Sequence, residues 1–306
     1  MSPRSTPGSL DAFVGERARL NGLAYRITGS LADAEDVVQE AWIRWAAGDT
    51  ASVDNPAGWL TTVTARLALD RLRAQRRRRE VYVGPWLPDA VPTARDVEGT
   101  TELAESLTLG FLVMLDTLGP SERVAFLLGD VFGEPYGAIA QALGKSEAAC
   151  RQLVSRARRK VRSARRSDES PRPSPASAEL LLQLMNSVLA GDEERALSLL
   201  DPDVVLISDA GRARSAARHP IVGAERVHQL LIKVGERLFG PEIHPSRDEP
   251  PPVRLLEVNS SPALVLDMPE GPIVVTGEAV GGQFTSIWSR LNPEKTAALE
   301  DPPPII

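Results

Sequence analysis

Apolar positions in this chain recur with a helical period of 3.6 through its first 166 residues and settle into short strand-like runs only later. Leu20, Leu23, Ala24 and Ile27 line one face of a helix that Gly29 ends, and Ser30 with Asp33 opens the next. This second helix turns Val37, Val38, Ala41, Trp42 and Trp45 inward and leaves Asp33, Glu35, Asp36, Gln39 and Glu40 on its remaining surface. After a polar loop from Gly48 to Asp54, Asn55 and Pro56 form the favoured N-cap and first-turn pair of a long helix carrying Trp59, Leu60, Val63, Leu67 and Leu72. That helix ends in Arg71, Arg73 and the run Arg76 to Arg79. Four adjacent arginines repel unless something anionic receives them, but the helix dipole also favours them at a C-terminus, and both readings stand.

The period breaks at Gly84, Pro85, Pro88 and Pro92, which makes 81–105 an extended linker. Helical spacing resumes with Leu107, Phe111, Leu112, Leu115 and Leu118 before Gly119-Pro120, then with Val124, Phe126, Leu127 and Leu128. Next comes a helix with Tyr136, Ile139, Ala140 and Leu143 on one face, a stop at Gly144, a cap at Ser146 and a basic helix. In that last helix Cys150, Leu153, Val154, Ala157 and Val161 form the inward stripe. Glu147, Arg151, Gln152, Ser155, Arg156, Arg158, Arg159 and Arg162 take the rest of its surface. This is the pattern of a helix-turn-helix, with Arg and Gln suited to base edges and Arg158, Arg159, Lys160 and Arg162 to phosphates. A second, Pro-rich linker is expected at 167–177.

Beyond it the pattern changes. A helix with Leu180, Leu181, Leu184, Met185 and Val188 precedes strand-like runs at 203–208, 253–258, 263–268, 273–276 and 283–288, with a helix over 223–238. The expected organisation is multidomain: two all-α units (10–80 and 106–166, the second with the helix-turn-helix) and an α+β unit with a curved sheet at 178–300.

Charge sharpens this division. Residues 106–166 hold ten Lys and Arg against five Asp and Glu, whereas 167–306 hold twelve against twenty-one, so the basic units suit nucleic acid and the acidic one does not. A chain of 306 residues with 42% hydrophobic content suffices for two or three domains. Its single cysteine, Cys150, excludes an internal disulfide and a Cys-based zinc site. No apolar signal region or membrane span is evident, which points to the cytoplasm.

The run Asp33-Ala34-Glu35-Asp36-Val37-Val38-Gln39-Glu40, the helix from Asn55 to Arg79 and the helix-turn-helix ending Ser155-Arg156-Ala157-Arg158 resemble, in order and spacing over 10–166, sigma factors of the extracytoplasmic-function (ECF) class of the sigma-70 family. Tyr82-Val83-Gly84-Pro85-Trp86-Leu87-Pro88 and the last domain resemble the SigJ-like subgroup, whose C-terminal extension has the SnoaL-like (NTF2-like) α+β fold. That subgroup often carries an Asp-Gly-Gly-Gly-Lys-type motif and an Asn-Pro-Asp-Lys motif. Here they read Ser208-Asp209-Ala210-Gly211-Arg212, a departure, and Asn292-Pro293-Glu294-Lys295.

The resemblance implies that Asp33, Asp36, Gln39 and Glu40 grip core RNA polymerase at its β′ clamp, with further contact to the β subunit. It implies that the loop from Ala47 to Asn55, with Trp59, Arg66, Arg71 and Arg73, melts and reads the -10 element of promoter DNA. Trp59 can stack on a base or pack in the core. The same likeness gives reading of the -35 element to Glu147, Arg151, Gln152, Ser155, Arg156, Arg158 and Arg159. Asp209, Arg212, Asn292, Pro293 and Lys295 are the expected intramolecular regulatory contact, docking the acidic domain on the first domain and on the linker around Tyr82–Pro88, to inhibit or to brace.

No cofactor or metal is called for, and no catalytic residue is assigned, although related SnoaL-like enzymes make an Asp209–His219 acid/base pair worth weighing. His228 and His244 are expected on a surface helix and in a Pro-rich loop. The C-terminal cavity leaves room for an unidentified small ligand. Two other readings are a ligand-sensing helix-turn-helix regulator that acts without core polymerase, which has no need of the Asp33–Glu40 helix, and a cyclase or hydrolase fused to a DNA-binding module.

Overall fold

The computed structural model describes residues 7–48, 52–93, 107–164, 174–239 and 251–300. The second half of the first linker, most of the Pro-rich linker with Pro171 and Pro173, the tip of the loop before Asn55, and His244 lie outside them. The chain forms two compact units, one of Met1–Val81 with Leu112–Arg166 and one of Tyr82–Phe111 with Ser167–Ile306.

In the first unit α1 (Pro7–Thr28), α2 (Leu31–Ala47) and α3 (Pro56–Arg79) pack on one another, with Leu20, Leu23, Ala24 and Ile27 wholly buried. Gly29 takes φ +72°, a conformation that costs a side chain about 1–2 kcal/mol. Ser30 caps α2, accepting from the Asp33 amide at 3.4 Å, and Asn55 caps α3, accepting from the Gly58 amide at 3.0 Å. A second set follows: α4 (Leu109–Leu115), then α5 (Pro120–Phe126) with a π-helical turn at Leu127–Val131, α6 (Tyr136–Leu143) and α7 (Glu147–Ala164). Gly144 is left-handed at φ +62° and Ser146 accepts from the Ala149 amide at 3.2 Å, which makes the turn of the helix-turn-helix.

The two helical sets are joined by arginines rather than by apolar packing alone. Arg123 is fully buried, donating to the Arg26 carbonyl at 3.0 and 3.1 Å and to Asp116 at 2.6 Å. Burial lowers its pKa to about 10 despite the carboxylate beside it. From α3, Arg79 reaches Asp116 at 3.3 Å, Arg76 donates to the Leu118 carbonyl at 2.5 Å, and Arg66 donates to the Gln141 carbonyl at 3.3 Å. Thus part of the basic helix end finds its anionic partner inside the protein.

The second unit holds β1 (Ser174–Pro175), α8 (Ala178–Ala190), α9 (Glu193–Ser198), β2 (Leu200–Asp209), β3 (Ile221–Val222), α10 (Ala224–Phe239), β4 (Val253–Val258), β5 (Ser261–Leu266), β6 (Ile273–Val280), β7 (Gln283–Arg290) and α11 (Pro293–Thr296). The strands make one sheet in the order β3-β2-β7-β6-β5-β4, antiparallel except for β2 with β7, and β1 pairs with β6. Two strands went unread in the sequence. β1 and the buried Ala176 bring residues 174–177 into the domain instead of the linker, because Ser174 and Pro175 pair with Ala279 and Glu278.

Alternation along the strands sends side chains to two faces, and both are covered. Leu264, Leu266 and Ile273 join Leu181, Leu184 and Val227 in the core under α8 and α10. Ala263, Val265 and Val274 face the other way and pack with Ala90 and Leu299. Ala90 belongs to the supposed linker. The stretch from Tyr82 to Thr93 therefore lies on the sheet as part of its second layer, with Pro92 bridged to Val258, the Ala90 amide on the Lys295 carbonyl at 2.7 Å and the Thr93 amide on the Glu257 carbonyl at 3.0 Å. His228, expected on a surface, is buried on α10.

Candidate functional site

Three surfaces carry chemistry. On α2, Asp36 and Gln39 are exposed, and Glu40, half-buried, pairs with Arg44 at 2.9 Å. Asp33 is drawn inward: its carboxylate accepts from Gln75 and lies 3.6 Å from Arg71. Arg71 also reaches Asp36 at 3.2 Å. Because α3 packs along α2, Arg71 belongs to the acidic face rather than to a separate basic surface. Arg73 pairs with Asp70 at 3.1 Å, one turn away on its own helix. Trp59 is half-buried, its ring 5.2 Å from that of the buried Trp45, so packing occupies one side of it.

The recognition helix is organised by its own charges. Cys150, Leu153, Val154, Ala157 and Val161 are buried, while Glu147, Arg151, Gln152, Ser155, Arg156, Arg158 and Arg159 are exposed. Arg151 lies over the Tyr136 ring at 5.5 Å and 3.3 Å from Glu147. Arg158 is clasped by Asp130 of the π-helical turn at 2.5–3.1 Å, which raises the guanidinium's pKa. Glu122 receives Lys160 at 2.7 Å and lies 3.5 Å from Arg156. Arg158 and Lys160, expected from sequence as phosphate contacts, thus pair with carboxylates of their own helical set while remaining exposed, whereas Arg159 forms no ion pair among the described residues.

The third surface is where the chain crosses between the helical sets. Asp209, at the end of β2, is completely buried, and its carboxylate accepts from the Tyr82 hydroxyl at 2.6 Å, the Leu87 amide at 2.6 Å and the Lys295 ammonium. Lys295 also donates to the Leu87 carbonyl at 2.5 Å, and its charge lies 4.1 Å from the Trp86 ring centroid and 5.0 Å from that of Tyr82. Asn292, which caps α11, donates to the Tyr82 hydroxyl at 3.0 Å. Burial, and then the bond to Asp209, push the Tyr82 phenol above its usual 10.0, so it remains a donor at neutral pH. Gly211, at φ +56°, is required here, since a Cβ would sit 2.9 Å from Asn292 and 3.1 Å from the Tyr82 oxygen.

Of the five expected regulatory residues the structure gathers Asp209, Asn292 and Lys295, with Pro293 opening α11 between them. Arg212 is exposed and stands outside the cluster. His219 is exposed, while the described partners of the Asp209 carboxylate are linker and α11 groups, so the weighed Asp–His pair does not form. Among the described residues no three His, Cys, Asp or Glu converge on a metal position, and no helix is long and apolar enough to cross a membrane. Sequence reasoning missed Asp116 and Arg123, and also Arg290, which is buried and donates to Asn259 at 2.6 Å and to the Asp89 carbonyl at 3.3 Å. A buried arginine gives no local signal; only its partners, far off in sequence, reveal it.

An acidic-faced helical bundle, a helix-turn-helix set beside it and an α+β extension that holds the connection between them define a sigma-type initiation factor with an appended domain. Comparison with known proteins places the chain in that class: the profile of Sigma-70 region 2 matches residues 14–78 and that of Sigma-70, region 4 matches residues 109–161. The chain belongs to the ECF RNA polymerase sigma factors. It is 44% identical over 233 residues to the ECF RNA polymerase sigma factor SigJ of Mycobacterium tuberculosis (strain ATCC 25618 / H37Rv), covering 75% of this chain and 73% of that protein. It is 35% identical over 226 residues to SigI of Mycobacterium tuberculosis (strain CDC 1551 / Oshkosh), covering 72% and 75%. The crystal structure of Mycobacterium tuberculosis SigJ superposes with a TM-score of 0.74 at 33% identity, over 96% of this chain and 99% of that one. These relatives support the sigma-factor reading over a regulator that works without polymerase.

Proposed function

We propose that this chain directs core RNA polymerase to its promoters in the cytoplasm and that its C-terminal domain sets how often it does so by holding or releasing the linker. The observation that carries the reading is the docking of Tyr82–Thr93 on the sheet through Asp209 and Lys295. Asp36 and Gln39, with Glu40, form the exposed polar ridge offered to the β′ clamp, and complementary basic groups would steer the encounter. Arg151, Gln152, Ser155, Arg156 and Arg159 read the -35 element, and Asn55, Trp59, Arg66 and Arg73 lie toward the -10 strand.

The packing of the two helical sets bears on regulation. Arg123, buried against Arg26, ties the second helical set to the first, and engaging two separate promoter elements on polymerase would require that tie to open. Holding the linker on the sheet restricts that opening.

The test is transcription by purified core polymerase from a genomic fragment library with three proteins at equal concentration: full length, truncated at about Ser170, and truncated after Leu291. Promoter-dependent transcription that changes severalfold, and differently in the two truncations, supports regulation in cis; a shift of that size needs only about 1–2 kcal/mol of differential docking. Identical transcription by all three would remove the regulatory reading and leave the initiation role standing. An Asp36→Ala/Gln39→Ala variant that still captures core polymerase at wild-type level would refute the polymerase-facing assignment.

A further inference from the structure

Between α8, α10 and the sheet lies a cavity of about 190 Å³. Its walls are Leu, Val, Ile, Met, Phe and Ala side chains, among them Leu184, Leu230, Phe284 and Ile287. Among the described residues the hydroxyls lining it are Ser208, Ser215 and Ser289, and no acidic or basic residue lines it. An apolar hole of about 150 Å³ stays dry and accepts benzene, so this one suits an apolar body of roughly six to eight carbons. Chemistry on a bound molecule has no support there, because the one candidate acid, Asp209, is held by Tyr82, Leu87 and Lys295.

The cavity is not closed on all sides. It shares Ser208, Ser215, Ala216 and Ala217 with an adjoining chamber of about 340 Å³, whose lining among the described residues includes Arg212, Arg214 and Arg218 and no carboxylate. Arg214 is tied to Gly271 and lies 3.5 Å from Glu270, whereas Arg212 and Arg218 are exposed and form no ion pair among the described residues. An apolar chamber beside one lined by three guanidinium groups is complementary to an amphiphile with a single anionic head, and a guanidinium fork matches a carboxylate bidentately.

We propose that the C-terminal domain binds a medium-chain or aryl carboxylic acid, its apolar body between α8, α10 and the sheet and its carboxylate at Arg212 and Arg218. This assigns Arg212, which has no part in the linker contact, a role of its own. Binding as such does not depend on the regulatory reading above, so calorimetry on the full-length protein separates the two.

Octanoate, 1-octanol and octylammonium are titrated in turn. The proposal requires octanoate to bind at least tenfold more tightly than either neutral or cationic analogue. Arg212→Gln/Arg218→Gln should weaken octanoate at least tenfold while leaving octanol within twofold, and Leu230→Trp, which fills the cavity, should weaken both. In a series of acids the affinity should peak near eight carbons and fall by sixteen, a readout that stands even if the Leu230 variant does not fold. Equal binding of octanoate and octanol, insensitivity to the arginine pair, affinity rising steadily to hexadecanoate, or no binding by any acid would each overturn it.

Discussion

Tyr82→Phe removes one oxygen from the buried contact and leaves the ring in place. That oxygen donates to the Asp209 carboxylate at 2.6 Å and accepts from Asn292 at 3.0 Å. A hydrogen bond to a charged group contributes about 1.5–3 kcal/mol and a neutral one about 1 kcal/mol. The two share one network and do not add fully, so the expected loss of docking energy is about 2–3 kcal/mol. At 1.4 kcal/mol per factor of ten, undocking becomes roughly 30–150 times more frequent. The amides of Leu87, Ala90 and Thr93 report this directly, since each is bonded to the domain only when the linker is docked. Hydrogen exchange by mass spectrometry over 82–93 should accelerate by that factor, while β6 and β7, whose ladder excludes Tyr82, keep wild-type protection. Promoter-dependent transcription should change severalfold in the same direction as in the truncation at Ser170. An acceleration under about threefold would show that the phenol does not carry the docking, and exchange that accelerates without any change in transcription would refute the link from docking to activity.

Asp116→Ala leaves the buried Arg123 guanidinium without its carboxylate and should lower the stability of the helical unit by about 3–5 kcal/mol in urea unfolding; an unchanged midpoint would refute the role given to this pair. Arg151→Ala should cost about 1–3 kcal/mol at one base of the -35 element, whereas Arg159→Ala should weaken all sequences alike and reduce the salt slope by about one. Equal, sequence-independent losses would mean the reading face is misassigned. Burial alone would raise the Glu122 carboxyl, but Lys160, the Gly119 amide and Arg156 hold it below its usual 4.5. Its contribution is therefore fully present above about pH 4.5 and lost as pH falls through the lowered folded value. Glu122→Gln should flatten the acid limb of thermal stability by under about 1 kcal/mol, because Lys160 is half exposed; an acid limb that is unaltered removes the pair from the account.

Short-range physics made much of this protein readable in advance. Gly29, Gly144, Ser30, Asn55 and Ser146 end or cap helices through bonds that reach no further than three or four residues, so their effect is written in adjacent positions. The buried stripe of α7 is likewise legible from side-chain period, as are the strands at 253–258 and 283–288, the second of which extends to Arg290. The two-residue β1 and β3 are too short to show a period, and only their partners make them strands.

Tertiary structure decided where the charges go. Arg71, Arg76, Arg79 and Arg158 look alike in sequence to arginines that meet nucleic acid, yet each is held by a carboxylate or carbonyl from another segment of the chain, Arg158 while remaining exposed. Tyr82 meets Asp209 across 127 residues of sequence, and Lys295 meets it across 86. A proline-broken stretch with no period has no local energy that selects one conformation. Tyr82–Thr93 acquires its own from the second face of a sheet assembled far along the chain, where Asp209 could be buried only with a phenol, an amide and an ammonium brought to it from two separate segments.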